Sequence, residues 1–67
     1  MNTTNLRRLI KSGQAMMGYD NETMAKGLGF SSKGAWEYKL RYPERIKVQE
    51  LQQIERLLKI RIFAEIE

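Results

Sequence analysis

The chain has 67 residues, no cysteine and no histidine, and its 12 lysines and arginines against 8 acids give a formal charge of +4. That length makes one small, marginally stable domain. Its composition removes disulfides, cysteine metal sites, the commonest metal ligand and the commonest general base near neutral pH. The expectation is therefore a non-enzyme with no metal, no cofactor and no small-molecule ligand. The opening MNTTNLRRLIKSG has no long apolar core, and no apolar run approaches the roughly 20 residues of a membrane span, so a cytoplasmic protein is expected.

Thr3 or Thr4 can cap a first helix that reaches about residue 17, with Leu6, Leu9, Ile10 and Met17 as its apolar stripe. Arg7, Arg8 and Lys11 stand on the opposite side, where they serve solubility or meet phosphates. Gly13 weakens this helix by up to about 1 kcal/mol relative to alanine, and it permits close packing against the next helix. Gly18 is the expected stop. Asn21 is the expected cap of a second helix over residues 21–28, with Met24, Ala25 and Leu28 on one face and Glu22 suited to the helix dipole. Gly29 is placed where a left-handed residue ends a helix. Ser31 or Ser32 can cap a third helix over residues 32–41, which must stop at Tyr42-Pro43 because proline disfavours a helical residue before it.

The register of the third helix decides which side chains face outward. Trp36 and Leu40 lie one turn apart and are both apolar. Placing them inward leaves Lys33, Gly34, Glu37, Tyr38 and Arg41 outward, with Ser32 at the tip. The other register turns Ala35 and Tyr38 inward and Trp36 outward. The first is preferred, because a lone tryptophan in a small domain is more often core.

After a loop at Pro43-Glu44-Arg45-Ile46, a fourth helix runs over about residues 48–59 with Val48, Leu51, Ile54, Leu57 and Leu58 as its apolar set. The tail 60–67 alternates. Ile60, Ile62, Ala64 and Ile66 fall on one side and Phe63 on the other, which predicts a strand paired with a second copy. A short helix carrying Ile62, Phe63 and Ile66 on one face is the alternative. Either makes residues 60–67 a dimerisation tail, with Ile60, Ile62, Phe63, Ala64 and Ile66 as the contact set.

Charge is concentrated. Residues 26–47 carry Lys26, Lys33, Lys39, Arg41, Arg45 and Lys47 against Glu37 and Glu44, a net +4, while the segments before and after carry +1 and −1. A helix, a glycine turn and a second helix with a basic outer face form a helix-turn-helix pattern, suited to the major groove of DNA.

These residues resemble the Cro and repressor class of phage helix-turn-helix proteins, the XRE-like group. The resemblance covers about residues 6–60 and rests on Asn21, Ala25, Leu28-Gly29, Ser31, the proline-ended stretch Lys39-Leu40-Arg41-Tyr42-Pro43-Glu44, and Leu57-Leu58-Lys59-Ile60. It implies an all-α, lambda-repressor-like four-helix domain spanning 1–67, with a short C-terminal strand or helix. It also implies base reading by Ser32, Lys33, Gly34, Glu37 and Tyr38, and phosphate contact by Asn21 at the start of the second helix. Lys26, Arg41, Arg45 and Lys47 are the further candidates for phosphate. Two departures stand out. The chain between Gly29 and Leu40 is one residue longer than in proline-ended relatives, and Gly34 has no side chain where a reader is often found.

The implied protein is a dimeric, sequence-specific transcriptional repressor on a near-palindromic operator, working at the nucleoid of a bacterial host. Two other classes compete with it. One is a protein-binding inhibitor or antirepressor on the same scaffold, and the other is a DNA-architectural or recombination accessory factor.

At the start of the fourth helix the chain keeps the glutamate half of a capping box, Glu50, and lacks the Ser/Thr half, since Lys47 holds the cap position. Lys47→Thr is expected to stabilise the fold by about 1 kcal/mol. A raised urea midpoint checks this, and an unchanged or lower one places the helix start elsewhere.

Overall fold

A computed structural model describes the backbone of residues 3–62 and the side chains of residues 5–62. The described residues are all-helical: α1 (Thr3–Met17), α2 (Asn21–Leu28), α3 (Lys33–Arg41), a 3₁₀ turn at Pro43–Arg45, and α4 (Val48–Leu58). Each boundary has a local cause. α2 is capped by Asp20, not Asn21: the Asp20 carboxylate accepts from the Thr23 backbone N–H at 2.8 Å. The extended backbone at Asp20 aims its side chain back at the free N–H groups, whereas Asn21 is already helical. Gly29 ends α2 at φ 78°, and the Phe30 N–H then donates to the Ala25 carbonyl at 2.9 Å, which closes a Schellman turn. Ser32 caps α3 by accepting from the Ala35 N–H at 3.2 Å. At α4 the Glu50 carboxylate accepts from the Lys47 backbone N–H at 2.8 Å, while the Lys47 ammonium has no lone pair with which to complete the box.

The core is one cluster to which every helix contributes: Leu6 and Ile10 from α1, Met24, Ala25 and Leu28 from α2, Trp36 and Leu40 from α3, and Leu51, Ile54 and Leu58 from α4, with Ile46 between. Trp36 has no exposed surface. The first register is therefore the real one. Its ring lies 6.0 Å from Phe30, which covers it from the turn. Burying an indole of this size contributes a few kcal/mol, about a third of what a domain like this has in total.

Three expectations change. Val48 leaves the apolar set of α4 and is 61% exposed, because it is the first helical residue and faces out over the turn. Gly13 does not meet α2: a Cβ there would lie 3.1 Å from Leu58 and 3.2 Å from Ile60, so it receives the end of α4. The tail begins differently from a paired strand. Ile60 and Arg61 have no regular structure, Ile62 is helical, and its side chain is fully buried in the chain's own core. Ile60 is half-buried against the same core. Ile62 is thus committed within the chain and does not face a second copy. Phe63, Ala64 and Ile66 lie outside the described residues.

One long-range contact holds the end of α3 against α1. Arg7, on the polar side of α1, donates Nε to the Leu40 carbonyl at 2.8 Å and Nη2 to the Arg41 carbonyl at 2.7 Å. A cation at a helix C-terminus also meets the negative end of the dipole. Arg7→Met, which keeps the apolar stem, is expected to destabilise by about 1–2 kcal/mol. Arg7→Lys, a single ammonium unable to fork, should recover less than half of that, and urea unfolding of the two variants measures the difference.

Candidate nucleic-acid interface

The face of α3 that the core leaves uncovered carries Lys33, Gly34, Glu37, Tyr38 and Arg41, all exposed. Four of them, Gly34, Glu37, Tyr38 and Arg41, line one shallow concavity along the helix. The Tyr38 ring leans toward Tyr42, with centroids 5.1 Å apart, and both rings are partly exposed, at 45% and 41%. Ser32 sits at the tip, where its hydroxyl oxygen is engaged as the cap.

What holds this face in place begins inside. The Trp36 indole N–H can only donate, and it donates to Asn21 Oδ1 at 3.2 Å. That orients the Asn21 amide. Asn21 Oδ1 also accepts from Gln14 Nε2 at 3.0 Å, and Asn21 Nδ2 donates to Glu37 Oε2 at 3.3 Å. Gln14 Nε2 reaches the Tyr19 carbonyl as well, at 3.2 Å. Asn21 therefore joins α1, α2 and α3, and its side chain is spent within the fold. The start of α2 is also occupied by the Asp20 carboxylate, which favours that helix end as an anion would. The Thr23 backbone N–H, then its hydroxyl, hold the Asp20 carboxyl below its ordinary value, and Lys33 adds to the effect.

Gln14 is 5% exposed, and its Oε1 is buried without a partner. The chain of donors explains the orientation. Trp36 fixes Asn21, Asn21 fixes Gln14, and the carbonyl oxygen of Gln14 is what remains.

The other expected contact residues are distributed. Lys33 Nζ lies 3.8 Å from Glu37 Oε2, an exposed pair one turn apart. Lys26 pairs with Glu22 at 3.4 Å on α2. Both pairs are of the kind worth about 0–1 kcal/mol, so either lysine can exchange its partner for a phosphate. Arg45 and Lys47 are exposed in the chain that follows α3. Lys39 differs from its neighbours. Its ammonium donates to the Arg45 carbonyl at 2.9 Å and pairs with Glu50 at 3.2 Å, and both side chains are more than four-fifths covered. It ties α3 to α4 and counts toward structure, not toward a binding face.

Arg7, Gln14 and Lys39 are the residues that a reading of the chain misses. Each acts on a partner in another element, and no spacing within a helix signals that. Among the described residues no cluster of histidine, cysteine or acids can hold a metal ion, and no helix is long and apolar enough to cross a membrane. Comparison with protein-family models, curated proteins and solved structures returned no match.

The lowered Asp20 carboxyl gives a pH dependence with a definite sign. Its stabilising contribution is complete above the ordinary value of 3.8 and fades as the pH falls below that, through the lowered folded value. Asp20→Asn, which can still cap, is expected to flatten this part of the acid limb in stability measured between pH 2 and 5. An unaltered limb would show that the Asp20 cap does not produce it.

Proposed function

We propose that the chain is a sequence-specific, double-stranded-DNA-binding regulator of the Cro/repressor kind, with α3 in the major groove. The observation that carries this reading is the outer face of α3. It combines a cation, a carboxylate, a partly exposed ring and a second cation on one side of a helix whose middle is bonded to Asn21 and whose end is held by Arg7. A helix with mixed donors and acceptors fits base edges, and the exposed Arg45 and Lys47 that follow it in the chain suit the flanking phosphates.

Two copies reading a near-palindromic operator would place their α3 helices about 34 Å apart. Ile62 is absorbed into the core, so a dimer contact would draw on Ile60, Phe63, Ala64 and Ile66. The start of α2 contributes less to phosphate binding in this reading than in the family resembled, because Asp20 holds it. Repression needs only occupancy of a promoter.

One feature favours a second reading. The Tyr38–Tyr42 pair is a partly exposed aromatic platform, and tyrosine is enriched where proteins meet proteins. A protein-binding inhibitor on this scaffold would use it.

Titrating the protein with a random duplex and with the DNA upstream of its own gene, at several salt concentrations, separates the two. Tighter binding to the specific duplex, with affinity falling steeply with salt, is the expected result. Lys33→Ala should cost about 1–3 kcal/mol at one operator position if Lys33 reads a base, and should weaken all sequences alike if it meets a phosphate. No binding to any duplex at low salt would overturn the DNA reading in favour of the protein-binding one.

A further inference from the structure

The concavity on α3 has a chemistry that selects among base pairs. Its floor is Gly34, where an added Cβ would meet only Ser32 Oγ, at 3.8 Å. The floor is therefore open and carries no side chain. One wall is the Tyr38 ring, drawn aside by Tyr42. Another is the Glu37 carboxylate. Its Oε2 is committed to Asn21 and faces Lys33, which leaves Oε1 without a partner among the described residues. One turn further along is Arg41. Its backbone carbonyl is engaged by Arg7, while its guanidinium is exposed and makes no ion pair among the described residues.

A ligand that fills this site must offer a donor to Glu37, acceptors beside it for Arg41, and a carbon edge to Gly34 and Tyr38. We propose that the concavity reads one C·G base pair: Glu37 Oε1 accepts from cytosine N4, and the Arg41 guanidinium donates to O6 and N7 of the paired guanine. The carbon edge at cytosine C5 lies over Gly34. This rests on the DNA-binding reading above and reassigns Arg41 from phosphate to base. The alternatives fit less well. An A·T pair also offers a donor, adenine N6, but adenine N7 would then face a floor with no donor, and thymine O4 gives the guanidinium one acceptor in place of two. A G·C pair in the reversed orientation sets guanine O6 against the carboxylate. The bare floor has a second consequence: a methyl group on cytosine C5 fits without displacing any side chain.

The test is selection of binding sites from a pool of random duplexes with the full chain, repeated with Glu37→Gln. Glutamine has one acceptor oxygen, so keeping the bond from Asn21 turns its NH2 toward the base edge, where it donates and can no longer accept from cytosine N4. The expected result is an enriched half-site with one fixed C·G pair, and in the variant the loss of that preference in favour of a base that turns an acceptor, thymine O4 or guanine O6, toward position 37. Arg41→Ala should relax the same position. On the selected duplex, 5-methylcytosine at that position should bind the wild type within about twofold of cytosine, because the methyl meets open space. An enriched site in which no position responds to Glu37→Gln, or a loss of about tenfold or more on methylation, overturns the C·G reading and leaves DNA binding standing. No enrichment by the wild type overturns both.

Discussion

The indole N–H of Trp36 is the constraint on which the arrangement depends. A buried indole must find an acceptor or forfeit about 1–3 kcal/mol, and the acceptor here is Asn21 Oδ1. Because the indole can only donate, one bond decides the orientation of two amides in succession and leaves Asn21 Nδ2 pointing at Glu37. Interior and surface are connected by this route. The largest side chain of the core sets the position of a carboxylate on the outer face of α3. Any substitution that disturbs the seat of Trp36 therefore also acts on Glu37.

The far end of α3 is held by different means. Arg7 and Lys39 are long side chains whose stems run along the protein while their heads reach carbonyls of another element. They substitute for propensity that α3 lacks: it is nine residues long and holds a glycine and a tryptophan. A short helix of that composition would not persist alone in water. It is held by Ser32 at its start, by Asn21 at its middle and by Arg7 and Lys39 toward its end.

Much of this fold was legible in the residues, and the reasons are local. The helices over residues 21–28 and 33–41 follow from the Gly29 turn, the Ser32 cap and the Tyr42-Pro43 stop, each a device that acts within a few positions. The inward placement of Trp36 and Leu40 followed from their spacing and size. The cap of α2 was misplaced by one residue, since Asp20 and Asn21 are both good caps and only the backbone turn chooses between them. Period two in the tail suggested a strand, yet Ile62 is helical and fully buried in the core cluster, so burial within the chain outweighs the alternation. The inner role of Asn21 was not legible at all. It depends on Gln14 and Trp36 arriving from two other helices.

Two small residues on different helices receive α4. A Cβ at Gly13 would lie 3.1 Å from Leu58, and one at Gly27 would lie 3.0 Å from Leu57. The two leucines are consecutive, so they leave α4 in different directions, and each finds its recess only at one axial position of the helix. Were α4 to slide by a turn, both would strike side chains that have a Cβ. Small helical domains are prone to such slippage, because greasy faces fit one another in several offsets at similar energy. The paired recesses lower the energy of one offset relative to its neighbours. What the two glycines forgo in helix propensity is thus returned as a single native alignment, and with it a single orientation of α1 and α2 beneath α3.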